Sequence, residues 1–163
     1  MTMALKAKAP EHIDKRLKLF LFGSYKVGKT IATLNFPAVY YMDTEKGAVH
    51  DQYIKLMATN GSQVLQTNDV DEVIGEIRSL STERHSFKTV AIDPITMLEA
   101  DLYEKAEKEL ISKSKTGEIE AGDMRIWGIR DRKLKRLLNL LNRLDMNVIV
   151  TAHGKIEYGE NMK

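Results

Sequence analysis

Short apolar runs alternate with amphipathic patterns along most of this chain. Four runs, at positions 17–22, 38–42, 89–92 and 147–152, are nearly continuous in apolar residues and rich in β-branched or aromatic side chains. Runs of this length and composition predict strands that are buried on both faces of a sheet. A weaker run at 63–66 predicts one further short strand.

Helical spacing fills the segments between these runs. We predict helices at about 30–35, at 48–57, and from Pro94 to about residue 113. Two further helices have one apolar stripe each, and Asn68 or Asp69 is placed to cap the first of them. The stripes consist of Val70, Val73, Ile74, Ile77 and Leu80, and of Leu134, Leu137, Leu138, Leu141 and Leu144.

Strands that alternate with helices predict the α/β fold class. We expect a three-layer core in which helices cover both faces of a mostly parallel sheet and the crossovers are right-handed. The length of 163 residues suits one domain with a single substantial core. Residues 1–16 contain Pro10 and predict a flexible arm, so residues 17–163 form the predicted domain.

Composition removes several functional classes. The chain contains no cysteine, which excludes disulfides, thiolate zinc sites and thiol catalysis. Its four histidines lack the spacing of metal ligands, and a formal net charge of +2 restricts any nucleic-acid surface to local clusters. No apolar run approaches the ~20 residues of a membrane helix, and the N-terminus lacks the apolar centre of a signal peptide. We therefore expect a cytoplasmic protein with no membrane partner.

A glycine-rich segment follows the first predicted strand and precedes a helix. It reads Gly-Ser-Tyr-Lys-Val-Gly-Lys-Thr and has the form G-x-x-x-x-G-K-[ST], in which backbone N–H groups surround phosphates at a helix start. This phosphate-binding loop, or P-loop, predicts a nucleoside triphosphate site. The candidate binding residues are Gly23, Ser24, Tyr25, Lys26, Val27, Gly28, Lys29 and Thr30.

Two residues of the P-loop and one distant acid predict that the nucleoside triphosphate binds together with Mg²⁺. Lys29 can reach the β- and γ-phosphates, and the Thr30 hydroxyl is a usual Mg²⁺ ligand. Asp93 follows the apolar run 89–92 and is the second candidate metal residue. An aspartate at this position also caps many ordinary helices, so the interpretation depends on the P-loop upstream.

Polar residues at the ends of two other strands are candidates for catalysis together with Lys29. Pro94 follows Asp93, so a glutamate cannot stand there, and Glu45 is the best candidate to orient or deprotonate the attacking water. His153 is placed to sense the γ-phosphate. The alternatives are a carboxylate at a helix entry for Glu45 and a partly buried, backbone-bonded histidine for His153. Asp43 can instead orient neighbouring backbone.

The order of these motifs resembles that of the RecA-like ATPases, especially small phage-encoded members related to single-strand annealing proteins. The P-loop, Asp43-Thr44-Glu45, Asp93 and Thr151-Ala152-His153 carry the resemblance, which covers roughly residues 17–158. It implies Mg²⁺-dependent ATP hydrolysis and self-association that completes the site with a basic residue from a neighbour. RecA-like sheets continue with at least one more strand, so we expect either a domain that is incomplete at its C-terminus or a reduced core whose sheet lacks its last strand. Recombinases usually carry glutamine at the sensor position, so His153 indicates a divergent branch.

The resemblance also implies two loops that contact single-stranded DNA, at about 114–126 and 154–163. Lys113, Lys115 and Trp127 can supply phosphate contacts and one stacking ring at the first loop. The alternative for these residues is a solvated helix face and a core tryptophan.

These features together predict an ATPase that acts on single-stranded DNA during recombination. One alternative is a nucleoside or small-molecule kinase, which shares the P-loop and the parallel sheet, although the sequence lacks an arginine-rich lid of the expected kind. Another alternative is a module that binds nucleotide without turnover and so orders its loops for a protein partner.

Overall fold

The computed structural model describes residues 15–48, 50–114, 117, 119 and 122–154. Strands and helices alternate along them except where α5 follows α4. The elements are β1 (Lys18–Gly23), α1 (Lys29–Leu34), β2 (Val39–Asp43), α2 (Asp51–Asn60), β3 (Gln63–Gln66), α3 (Val70–Thr82), β4 (Thr89–Asp93), α4 (Ile95–Lys113), α5 (Met124–Arg143) and β5 (Asn147–His153). Every predicted strand and helix is present. The second helix, predicted at 48–57, begins and ends later and is closed by Gly61, whose left-handed φ of 71° suits glycine.

All five strands are parallel and lie in the spatial order β1-β5-β4-β2-β3. The predicted α/β class with a parallel sheet is therefore confirmed. Because β5 lies between β1 and β4, the end of β5 adjoins the strand that leads into the P-loop and the strand that ends at Asp93. This order brings motifs that are far apart in the sequence to one edge of the sheet.

The central strands are buried on both faces, which explains their continuous apolar runs. Along β4, Val90 and Ile92 pack into a core with α3, α4 and α5, whereas Ala91 packs on the opposite face with Leu34 of α1 and Met57 of α2. Successive residues of a strand point to opposite faces, so every position of β4 meets an apolar layer. The helices α1 and α2 form one outer layer, and α3, α4 and α5 form the other.

The first strand differs from the expectation of burial on both faces. In the described part of the sheet β1 is an edge strand, since β5 is its single neighbour. Phe20 and Phe22 are 57% and 75% exposed, and Leu138 of the predicted apolar stripe is 40% exposed. Continuous apolarity predicted the strand correctly but did not predict that one of its faces is open.

The predicted DNA loop at 114–126 is partly wrong, because α5 begins at Met124 and includes the last residues of that range. Asp123 caps this helix by accepting a hydrogen bond from the Arg125 backbone N–H. Lys115, the rest of the second loop beyond residue 154, and residues 1–14 of the predicted arm lie outside the described residues. Within the described ranges, no helix is both long and apolar enough to cross a bilayer.

Candidate functional site

The carboxyl ends of four strands meet at one cleft. The strand register places Gly23 beside His153 and Asp43 beside Asp93. The cleft has a volume of about 450 Å³ and is lined by residues of the P-loop, of the strand ends and of the start of α2. These residues are Tyr25, Lys26, Gly28, Lys29, Thr30, Ile31, Tyr41, Asp43, Glu45, Gly47, His50, Gln52, Tyr53, Asp93, Pro94 and His153.

The P-loop turns sharply between β1 and α1. Gly28 has a φ of 93°, which is open to glycine and costly for most other residues, and Lys26 also has a positive φ of 62°. The ammonium of Lys29 donates to the carbonyl oxygens of Gly23, at 2.9 Å, and Ser24, at 2.8 Å. Phosphate oxygens are stronger acceptors than carbonyl oxygens for an ammonium, so the Lys29 side chain is in place to bind a polyphosphate.

Asp93 is the centre of a buried cluster of hydroxyl groups. Its side chain is 5% exposed and accepts hydrogen bonds from Thr30 at 2.7 Å, from Tyr41 at 2.6 Å and from Thr151. A buried carboxylate is stable only when such donors replace its water. Burial, with the charge of Asp93 beside it, raises the pKa of the Tyr41 phenol, so that group remains a donor.

The turn after β2 is fixed by Asp43, which is 2% exposed. The carboxylate of Asp43 accepts from the backbone N–H groups of Glu45, Gly47 and Ala48 at 3.2, 3.1 and 2.8 Å. Thr44 joins this turn to the end of β4, since its hydroxyl donates to the Pro94 carbonyl at 2.6 Å. The interpretation of Asp43 as a residue that orients neighbouring backbone agrees with this geometry, which holds the Glu45 side chain at the cleft.

Glu45 and His153 form a pair. The Nε2 atom of His153 lies 2.8 Å from a carboxylate oxygen of Glu45. On its flat face the imidazole stacks on the Tyr25 ring of the P-loop, with 3.9 Å between ring centroids and 15° between planes. Two residues predicted separately, one as the base and one as the sensor, are therefore in direct contact across 108 positions of sequence.

The cleft also contains residues that the sequence did not indicate. Tyr41 was assigned only to a buried strand, and Gln52 and Tyr53 only to a helix, yet all three line the cleft. Conversely, the side chains of Ser24 and Val27 are not part of its lining, and Val27 is 61% exposed. P-loop positions between the glycines bind phosphates through their backbone N–H groups, so the direction of a side chain there does not indicate whether the residue binds.

A comparison with known families agrees with this geometry. A sequence profile described as an AAA domain matches residues 15–163, which is nearly the whole chain. No curated protein sequence matches the chain. The predicted P-loop ATPase relationship is thus confirmed at the level of the family, whereas the phage and recombination assignments stay predictions. The profile match and the convergence of Lys29, Thr30 and Asp93 at one cleft show that the chain belongs to the AAA domain family of P-loop ATPases.

Proposed function

We propose that this chain binds ATP with Mg²⁺ in the cleft, hydrolyses it, and uses the cycle in single-stranded DNA transactions such as recombination. One observation carries the proposal of an ATPase. Thr30 and Asp93, 63 positions apart, are joined by a hydrogen bond of 2.7 Å beside the P-loop, and Glu45 lines the same cleft. The cleft therefore contains candidate residues for metal binding, for phosphate binding and for water activation.

The oxygen atoms of Thr30 and Asp93 fit Mg²⁺. This ion prefers hard oxygen ligands, takes one or two of them from protein and obtains the others from phosphates and water. The described residues contain no group of three or more acidic or histidine side chains that could hold an ion alone. Two protein oxygen ligands suit a metal ion that enters the site together with a nucleotide. When bound, Mg²⁺ would neutralise charge on the phosphoryl oxygens.

The remaining steps fall to the side chains around the P-loop. The Lys29 ammonium and the backbone N–H groups bind the phosphates and stabilise negative charge that develops in the transition state. The position directly after Asp93 is occupied by Pro94, whose side chain cannot accept a proton. Glu45 therefore takes this role: it orients a water molecule and accepts its proton. We assign His153 as the γ-phosphate sensor: its imidazole bonds to Glu45, so a change at the γ-phosphate would reach the base directly.

The proposal of DNA as partner is supported by the surface of α5. Arg132, Lys135 and Arg136 are exposed on this helix and form a local basic face. Near its start, Trp127 is 40% exposed, and Arg130 lies over its ring at 4.2 Å. A half-exposed tryptophan suits base stacking, although this ring also meets Tyr103 edge to face and the Arg130 guanidinium is paired with Glu99 and Asp131.

The first experiment measures phosphate release from ATP with Mg²⁺, in the presence and absence of single-stranded DNA. Lys29→Ala should abolish nucleotide binding, and Glu45→Gln should retain binding but lose turnover. Lys108→Ala and Glu104→Gln, a matched exposed pair on α4, should behave like wild type.

Each outcome decides between the candidate functions. Normal hydrolysis by Glu45→Gln would show that the base assignment is wrong. Phosphate transfer to a nucleoside would favour the kinase instead, and bound ATP without turnover under any condition would favour the binding module. Stimulation by DNA that falls as salt rises would support the DNA role, and absence of stimulation would contradict it.

A further inference from the structure

Tyr25 is a P-loop residue whose aromatic side chain lines the cleft. P-loop positions between the two glycines contribute their backbone N–H groups. The Tyr25 ring is nevertheless ordered against a partner, although the residue is 65% exposed. It lies almost parallel to the imidazole of His153, at 3.9 Å between centroids and 15° between planes.

Hydrogen bonding by itself does not fix the orientation of the His153 ring. Because an ionised carboxylate only accepts hydrogen bonds, the Nε2 atom carries the hydrogen that is shared with Glu45 at 2.8 Å. The Nδ1 atom is buried, and no group of the described residues bonds to it. A single bond at one nitrogen leaves the ring free to turn about that bond, so the ring plane needs a second constraint. The stacked face of Tyr25 provides it.

The P-loop, which carries Tyr25, and the end of β5, which carries His153, are also joined through their backbones. The N–H of Gly154 donates to the carbonyl of Gly23 at 3.1 Å, directly beyond the last register pair of β1 and β5. The same Gly23 oxygen accepts from Lys29 at 2.9 Å. The two segments that carry the stacked rings are therefore joined at Gly23, the residue that also bonds to the Lys29 ammonium.

We propose that Tyr25 is a positioning residue that holds the imidazole of His153 and, through it, the carboxylate of Glu45. The inference rests on the proposed function in one respect, namely that Glu45 orients the attacking water. It adds that the P-loop contributes to catalysis through the ring of a side chain as well as through its backbone N–H groups. Only the ring is required, since the Tyr25 face, and not its hydroxyl, meets His153.

The kinetic test compares three substitutions. Tyr25→Ala removes the ring, Tyr25→Phe keeps it, and Phe22→Ala removes a comparably exposed aromatic ring three positions earlier that lies outside the cleft lining. We expect Tyr25→Ala to lower kcat by roughly ten- to a hundredfold, the range expected when a catalytic group is misplaced by about 1 Å. The Kd for a nonhydrolysable ATP analogue should change by less than about threefold, because the backbone N–H groups and Lys29 that bind the phosphates are retained. Tyr25→Phe should restore most of the kcat that Tyr25→Ala loses, and Phe22→Ala should match wild type.

A double substitution tests whether Tyr25 acts through His153. In a His153→Ala background, Tyr25→Ala should lower kcat no further, because the element it positions is gone. A second fall of the same size would overturn the proposal. So would a wild-type kcat for Tyr25→Ala, or a rise in Kd that accounts for the whole effect.

A measurement without hydrolysis separates this proposal from the proposed function. The ring of Tyr25 shifts the NMR resonances of the His153 imidazole, which are identified by their loss in His153→Ala. Tyr25→Ala should move them, and should move the ¹⁵N resonance of Nε2 toward its value in Glu45→Gln, whereas Tyr25→Phe should leave them in place. If wild type releases no phosphate, the proposed function fails, and this comparison still decides: unchanged His153 resonances in Tyr25→Ala overturn the positioning role, and the expected shifts support it.

Discussion

Replacing Tyr41 with phenylalanine removes one buried oxygen atom and leaves the ring in the core. The Tyr41 residue is 2% exposed, and its hydroxyl donates to Asp93 at 2.6 Å. A hydrogen bond to a charged acceptor contributes ~1.5–3 kcal/mol. Thr30 and Thr151 remain as donors to the same carboxylate. We therefore expect the lower part of that range, about 2 kcal/mol of lost unfolding free energy, or a fall of roughly 4–8 °C in Tm for a domain of this size.

Urea unfolding followed by far-UV circular dichroism and by the fluorescence of the single tryptophan measures this loss. The control is Tyr40→Phe, because the Tyr40 hydroxyl donates to Glu76 and not to Asp93. In an Asp93→Asn background the cost of Tyr41→Phe should shrink by at least ~0.5 kcal/mol, the usual coupling between groups in contact, while the cost of Tyr40→Phe should not change. Equal costs of Tyr41→Phe in both backgrounds would refute the reasoning.

Three further predictions concern other parts of the chain. Lys18→Met should lower the unfolding free energy by about 1–2 kcal/mol in urea titrations, because the ammonium donates at 2.8–3.1 Å to the carbonyls of Leu141, Leu144 and Met146, in the last turn of α5 and just after it. An unchanged midpoint would contradict this. A hydrogen bond from Lys105 holds the pKa of Asp69 below its ordinary value. The ionised Asp69 carboxylate therefore stabilises the folded chain above about pH 4, and this contribution is lost as the pH falls through the lowered pKa. Asp69→Asn keeps the cap, so it should cost up to ~1 kcal/mol at pH 7 and progressively less as the pH falls below about 4, and a cost that does not vary with pH would exclude the ionic contribution. Thr30→Val should weaken ATP binding roughly tenfold in Mg²⁺ but little in EDTA, as measured with a fluorescent analogue, and equal weakening in both would argue against a metal ligand.

Local physical chemistry explains why so much of the fold was predictable. A strand buried on both faces needs apolar residues at nearly every position, so β4 and β5 were visible as runs. The stripe of α3 and its Asp69 cap are likewise local patterns, and the structure has Asp69 accepting from the N–H groups of Asp71 and Glu72. The open face of β1 was not predictable, since strand order depends on partners distant in sequence.

The P-loop and the acids at strand ends were found from sequence because their chemistry requires particular residues at fixed offsets or at the ends of strands. A polyphosphate site needs glycines that permit a tight turn, a lysine and a hydroxyl within eight positions. The predicted convergence at one sheet edge followed from the rule that parallel strands end together. The match to the AAA domain family agrees with this interpretation of the P-loop.

The sequence by itself determined the elements, the parallel α/β class and the identity of the nucleotide-binding loop, because these depend on patterns within one segment of chain. Only the tertiary structure decided which side chains meet: Tyr41 with Asp93, and Tyr25 with His153 and Glu45. Those contacts depend on strand order and register to within one residue, since a shift of one position turns every side chain to the other face of the sheet. No local pattern encodes that register, so the partners of a strand-end residue become visible only when all the strands are in place.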